Sequence, residues 1–560
     1  AYVARVNGVG YETLAEAIAA ANAGDTITLL CDVTETDAAN ANIVYDLTGK
    51  TLDLGGFTYS HNNFAHVFAG TDGVIRNGKI VALNGGSYAL FVGDDTIETT
   101  RFLVENAELT GGINVYHAAN VTLKDLTVNG TNYYVVWMDE DSSVAIESGT
   151  YTAGSGAAIN GVESGALTVT GGKFISNGKG LVGTSGLAVS ISGGTFDTTV
   201  DEKYCADGFI PKTNDDGTYG VKVGSYVVRV NGVGYETIEE AFAIVKDGDI
   251  VTLLADITAD ITINKNITLD LGGKTVTNTN AGKATLTIAA GATVTVKNGT
   301  ILGGNSYYTI QNNGTAAFMD IVATAGNTGS SMLDNWGTLT IESGTYTGGL
   351  NVVKSEEGSV LHISGGSFTL DYAPSDGYTA VILVYGTTTI SGGEFIQSVT
   401  SPGKWSHPHV VMTGVVEGYE AETTVTGGSF TNNHSASNNI FRGYGKATSA
   451  NFEVSGGTFN KTVSDGFFAE GFIAVKNSDG TYRADGPYVA KVGSVGYDTL
   501  AEAIAAAKAG NTVTLLVDTT EDIVIDKKLT LDLGGHTLTN TGAGKATLTI
   551  EAGVTVTVKN

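Results

Sequence analysis

Ser190–Phe196 reads SISGGTF, and earlier in the chain stand two close versions of it, IESGTY (Ile146–Tyr151) and TVTGGKF (Thr168–Phe174). The closing aromatic advances by 23 and then 22 residues, from Tyr151 to Phe174 to Phe196. The phrase returns as IESGTY ending at Tyr346 and ISGGSF ending at Phe368, again 22 apart, and later aromatics follow at Phe395, Phe430 and Phe459. A unit of about 22 residues with short alternating runs and Gly at its corners predicts one coil per unit, its strands stacked in parallel on the coil before, about 4.8 Å away. The longer steps, up to 35 residues, carry inserted loops. Side chains of period two then alternate between core and solvent, so in TLDLGG (Thr51–Gly56) Leu52 and Leu54 point inward while Thr51 and Asp53 face out. Gly supplies the positive φ of the corner.

A longer period overlies the short one. YETLAEAIAAANAGDTITLL from Tyr11 returns as YETIEEAFAIVKDGDIVTLL from Tyr235 and YDTLAEAIAAAKAGNTVTLL from Tyr497. This divides the chain into modules at 1–224, 225–486 and 487–560, the second with longer inserted loops and the third represented by its N-terminal part. Each module head predicts a short amphipathic helix opened by a capping box, Thr13 with Glu16, Thr237 with Glu240 and Thr499 with Glu502, and ended at Gly24, Gly248 or Gly510. A stack of coils exposes an apolar disc and open strand edges at its ends, and this helix is suited to close the first coil. The tails CADGFIPKTNDDGTYGV (from Cys205) and AEGFIAVKNSDGTYRA (from Ala469) read as β-hairpins with an Asp-Gly turn, the opposite lid. The third module stops at Lys559–Asn560 in mid-motif, where the second continues GTILGG, so a longer tandem parent is expected.

Composition agrees with an all-β class. Gly numbers 77 and Pro 5 among 560 residues, with Thr and Val in alternation. The formal charge of −28 comes without clusters of Lys and Arg, which excludes nucleic acid and bare anionic membrane as partners. No apolar run is long enough to cross a bilayer. Cys31 and Cys205 are the two cysteines; Ala255 and Val517 occupy the position of Cys31 in the other modules, which predicts a small buried apolar slot rather than half a disulfide.

The pairing of YETLAEAI with ITLDLGGKT and tails of the GFIAVKNSDGTY kind resembles the tandem pectate-lyase-like right-handed parallel β-helix modules of large surface proteins from Gram-positive gut anaerobes. The resemblance covers the whole chain and implies a right-handed β-solenoid on an extracellular bacterial surface. It implies no particular activity, because the fold hosts polysaccharide enzymes, adhesins, stalks and fibres alike.

The internal copies sort the polar residues. Those present in all three modules serve the scaffold: Asp53, Asp270 and Asp532 in LDLGG, and Asn77, Asn298 and Asn560 in the turn one coil later, whose amides are expected to satisfy the adjacent coil. Residues confined to one module are where a site would sit. WMDEDSS (Trp137–Ser143) holds the best local carboxylate cluster, Asp139, Glu140 and Asp141, with Trp137 beside it, against the alternative of a solvated acidic corner. A polyuronate lyase would need Lys and Arg clamps, and the six Arg are scattered. GKWSHPHVV places His407 and His409 on one side of an extended strand, with His434 a coil away as a third candidate zinc ligand, against the alternative of an exposed loop. Trp405 and Tyr419 are a candidate sugar-stacking platform. No cofactor is called for by any motif.

These readings converge on a non-enzymatic extracellular structural or adhesive protein, a β-helical stalk or fibre subunit that assembles end to end. Its partners are then other copies of itself, neighbouring surface proteins, or host or plant glycans. A polysaccharide-binding or polysaccharide-cleaving enzyme is the first alternative and a phage tail spike or fibre the second.

Overall fold

The computed structural model describes the chain except residues 37–42, 63–65, 84–87, 98–99, 132–133, 140, 162–163, 184–185, 401–404 and 436–439, and the side chains of 66, 376, 405 and 406. The chain forms two compact units, Ala1–Ser225 and Tyr226–Asn560.

Each unit is a parallel β-solenoid. In the first, Thr51–Asp53 pairs in parallel with Thr71–Ala82, which pairs with Arg101–Thr110, and the ladder continues without change of direction to Leu187–Ile191 and Thr195–Phe196. The second repeats this from Ile267–Asp270 through Thr293–Leu302 and Thr315–Thr324 to Phe452–Val454 and Thr458–Phe459. Leu52 and Leu54 are fully buried, as the alternation predicts.

The quoted phrase is the corner that keeps coils in step. The first Gly of SISGGTF has no room for a side chain: a Cβ on Gly193 would sit 2.1 Å from the Thr170 carbonyl oxygen of the coil below. The second, Gly194, turns the chain at φ +103°. The aromatic two residues later enters a column inside the solenoid. Tyr151, Phe174 and Phe196 stack at 5.1 Å with planes 13° apart. Tyr346, Phe368, Phe395 and Phe430 follow suit at 4.8, 5.0 and 4.9 Å. Strand spacing and ring thickness are commensurate, so the column measures the register.

Outside, a polar staple joins coils at each module head. Asp53 accepts from its own turn at the Gly55 N–H (3.0 Å) and from Asn77 Nδ2 one coil later (2.9 Å). Asp532 does the same with Gly534 (3.1 Å) and Asn560 (2.9 Å). Asn77, Asn298 and Asn560 all adopt φ near +60°, a conformation Asn tolerates.

The ends of the stack are closed by two devices. The helices α1 (Leu14–Ala20), α2 (Ile238–Ile244) and α3 (Leu500–Ala506) are two turns long. α1 buries Leu14, Ala17 and Ile18 against the first coil, and α3 buries the matching Leu500, Ala503 and Ile504. Thr13 Oγ1 accepts from the Glu16 N–H at 3.1 Å and the Glu16 carboxylate accepts from the Thr13 N–H at 3.2 Å; Thr237 and Thr499 accept from the N–H groups of Glu240 (3.2 Å) and Glu502 (3.1 Å). The helices stop before the expected glycines. Ala21, Val245 and Ala507 swing into extended backbone and bury their side chains, so the chain leaves the helix early. Gly24, Gly248 and Gly510 instead turn the chain into the first strand, each donating its N–H to the following coil at 2.6–2.7 Å.

The strand edges are covered by antiparallel hairpins rather than by the helix. Ala4–Val6 pairs antiparallel with Val9–Tyr11 and with the first-coil strand Thr26–Leu29. At the tails, Phe209–Thr213 with Tyr219–Val223 and Ile473–Lys476 with Tyr482–Asp485 form the expected hairpins. Tyr219 and Tyr482 pair antiparallel with the last coil at Phe196 and Phe459. Cys31 corrects the sequence reading: it and Cys205 are free thiols, and both are half-buried rather than buried. Ala255 and Val517 are half-buried as well, so the slot lies at the rim of the core.

Candidate ligand-binding wall of the second module

The second wall of the Tyr226–Asn560 unit is a parallel ladder of Ile261–Ile263, Leu286–Ile288, Ile310–Asn312, Leu333–Asn335, Val353–Ser355, Asp376–Val384, Trp405–Val415 and Phe441–Gly445. Its inward row contains a buried polar column. Asn312 Nδ2 donates to Asn335 Oδ1 (2.8 Å), Asn335 Nδ2 to Ser355 Oγ (3.3 Å), and Ser355 and Ser359 share a hydrogen bond at 2.7 Å. Such a column holds one register, because a slip would leave several buried polar groups unpaired. The outward row is thereby fixed as Gln311, Asp334, Lys354, Leu383, Met412 and Arg442.

Four residues of this wall form a square across two coils. Asp334 lies opposite Lys354, while Trp336 and Glu356 follow at the same offset in their own coils. Trp336 Nε1 donates to Asp334 Oδ2 at 2.9 Å, and Gln311 Nε2 approaches the same oxygen at 3.4 Å. Lys354 pairs closely with Glu356. Asp334 and Glu356 are 1% and 3% exposed although they stand on the outer face, while the Trp336 ring is 47% exposed. Asp334 Oδ1 is sealed from solvent without a protein donor. The Glu356 carboxyl faces Asp334, and in its neutral form it is the O–H donor that fits. Burial pushes Glu356 up to about 7, with the Asp334 charge adding to the rise and Lys354 opposing it. Lys354 is also raised: burial works against its charge, but the Glu356 carboxylate outweighs it. Neither carboxyl is presented to a substrate, so the square is a closed polar cluster with an open indole above it.

Nothing in the sequence singles out these four residues. Asp334 and Lys354, like Trp336 and Glu356, are 20 residues apart, whereas neighbouring coils differ in length, and only the register makes them adjacent. The available signal was that DNWGT and KSEEGS occur in one module alone.

The residues that sequence reasoning did single out are placed as follows. Trp137 donates to Asp139 Oδ2 at 2.6 Å, the same indole-carboxylate bond as in the second unit with the two positions exchanged. Asp141 turns away at φ +58°, is exposed, and accepts from Ser164 of the next coil. Glu140 lies outside the described residues. His407 and His409 lie on one strand and both stack on Tyr378, at 5.1 and 6.2 Å. His434 follows the strand Ser429–Asn432, its N–H bonded to Asn432 Oδ1 at 3.0 Å. Among the described residues no three His, Cys, Asp or Glu come together as a metal set. The Trp405 side chain is outside the described residues, and Tyr419, 49% exposed, lies against Gly358. In the first unit a shallow groove of about 420 Å³ is lined by Asp72, Arg101, Leu103, Lys124 and Glu147. Within it Arg101 pairs with Asp72 at 2.5 Å.

Comparison with known proteins adds no assignment: no family model matches the chain, and no curated protein or solved structure matches it. Among the described residues no helix is long and apolar enough to cross a membrane.

Proposed function

We propose that the chain is a non-enzymatic structural and adhesive protein of an extracellular bacterial surface, a β-helical stalk or fibre subunit built of serial modules. The observation that carries this reading is the seat of the third module on the second inside one compact unit. Tyr488 donates its N–H to the Gly471 carbonyl at 2.8 Å, Lys491 pairs with Asp465, and the His536 ring stands 3.8 Å from Glu470. A capped coil stack that accepts a second capped stack on its tail transmits load along serial modules, as stalks require. The burial of Asp334 and Glu356 argues in the same direction, because this carboxyl pair is closed to substrate.

Immunogold electron microscopy of native cells tests this. Labelled filaments or a surface coat are expected, with no turnover when the purified chain is screened against uronans and mucin glycans. Label confined to the cell interior, or release of reducing ends from any of these glycans, would overturn it.

A further inference from the structure

Among the described residues, Arg442 of the second module meets no acidic partner. Arg76, Arg101 and Arg483 each meet an aspartate, Asp53 at 3.1 Å, Asp72 at 2.5 Å and Asp485 at 2.8 Å. That is the expected fate of an arginine in a chain with 58 acidic and 30 basic residues. Arg442 differs. Its guanidinium lies over the Tyr378 ring at 4.8 Å, and Nη2 reaches the Tyr378 hydroxyl at 3.2 Å. Its Nε is buried without a hydrogen-bond partner, and among the described residues no carboxylate lies within ion-pair distance.

The surroundings are those of a binding surface. Arg442 follows Met412 in the outward row, and Met412, Leu383 and Ala380 form a small buried apolar cluster with Tyr385 packed against it. A guanidinium beside an apolar floor is poorly screened, which strengthens its hydrogen bonds to an anion. Aromatic rings stand around it. Tyr378 is 39% exposed and Tyr444 38%, their rings 5.3 Å apart edge to face, and the exposed His407 ring stacks on Tyr378. Tyr378 carries the guanidinium and His407, and the exposed Tyr444 ring suits the C–H face of a pyranose, while one guanidinium fork suits one planar or tetrahedral oxyanion.

We propose that Arg442, Tyr378 and Tyr444 bind a glycan end group that carries a single compact anion, a carboxylate or a sulfate ester. With Nε sealed, the anion takes Nη N–H groups of Arg442 that Tyr378 leaves unused, and the sugar ring lies against Tyr444, while Tyr378 holds the guanidinium in place. The proposal deepens the adhesive reading and rests on it only for its biological setting.

The test is titration calorimetry of the full chain at low salt with methyl glucuronide, 3′-sialyllactose, N-acetylglucosamine 6-sulfate and lactose. At least one anionic probe is expected to bind where lactose does not. Binding should weaken at least about tenfold in Arg442→Gln, partly recover in Arg442→Lys, and weaken in Tyr444→Ala. Carboxylate probes alone, or the sulfate alone, would settle which anion is read. Failure of every anionic probe, or binding unmoved by Arg442→Gln with a native circular dichroism spectrum, overturns the site; should Arg442→Gln not fold, Arg442→Lys and Tyr444→Ala decide it. If the isolated chain binds the probe and the cells carry no filaments, the site stands and the adhesive reading fails.

Discussion

Asn298 donates its side-chain amide to the carboxylate of Asp270 one coil earlier, at 3.2 Å to Oδ1. The same aspartate accepts from the Gly272 N–H at 2.9 Å and pairs with Lys297 at 3.4 Å. Burial alone would raise the Asp270 carboxyl, but these donors outweigh it and hold it below its usual range. Asp270→Ala should therefore cost the second unit about 1.5–3 kcal/mol at pH 7, the range for hydrogen bonds to a charged group. Asp270→Asn should cost less. Because the folded value is depressed, this stabilisation is present above about 3.8 and fades as pH falls through the folded value. Urea titrations of the three proteins at pH 7 and pH 3 check both statements, and equal stability of all three at pH 7 would refute them.

Glu356 has the opposite sign. Its folded value, near 7, stands above the ordinary 4.5, so the folded state holds a proton that the unfolded chain releases. The contribution is fully present below 4.5, declines between there and 7, and stays lost above. Melting temperatures of wild type should fall relative to Glu356→Gln across that window and run parallel to it beyond. The emission of Trp336, read in a background where Trp137 and Trp405 are Phe, should titrate in wild type and stay flat in Glu356→Gln.

The aromatic column makes a third prediction. Phe395 is fully buried between Phe368 and Phe430, with planes 7° and 9° from parallel. Phe395→Ala should destabilise the unit by about 3–5 kcal/mol, and Phe395→Leu by less. Hydrogen exchange should show faster amides in strands 367–370 and 429–432, on either side of the gap, and unchanged ones near α2.

At the head of the third module, Glu521 accepts the N–H groups of Leu500 and Ala501, at 2.8 and 3.0 Å. These are otherwise orphan donors of the first helical turn. Glu521→Ala should accelerate exchange of these two amides at least tenfold, and Thr499→Ala that of Glu502, at a cost of about 1 kcal/mol for the cap. An unchanged exchange profile would show that the carboxylate does not cap α3.

The scaffold was legible because its signals are local. SISGGTF encodes a close approach at Gly193, a positive φ at Gly194 and a core aromatic at Phe196 within one phrase, and LDLGG declares its inward leucines by alternation. The closing of the edges was less so. Ala4–Val6 reads as an ordinary strand, and its antiparallel direction follows from pairing rather than from composition, whereas the Asp-Gly turns announce the tail hairpins. The wall residues were hidden for a different reason. Arg442 neighbours Tyr378 across 64 positions of sequence, through coils whose lengths are set by loops that carry no periodic signal. WMDEDSS stands out as a run of charge, yet Asp139 and Asp141 go to different partners, because the strand ends at Met138 and the turn at Asp141, φ +58°, breaks the alternation that would put residues two apart on one face.

The steps between stacked aromatics range from 22 to 35 residues, while ring spacing in the column remains close to 5 Å. Length is thus absorbed at the two corners that flank the second wall and never at the Gly-Gly corner. Each coil behaves as a cassette with a fixed clasp and a free margin. Evolution, or an engineer, can lengthen and rewrite that margin coil by coil, varying what the surface recognises without retiming the stack beneath it.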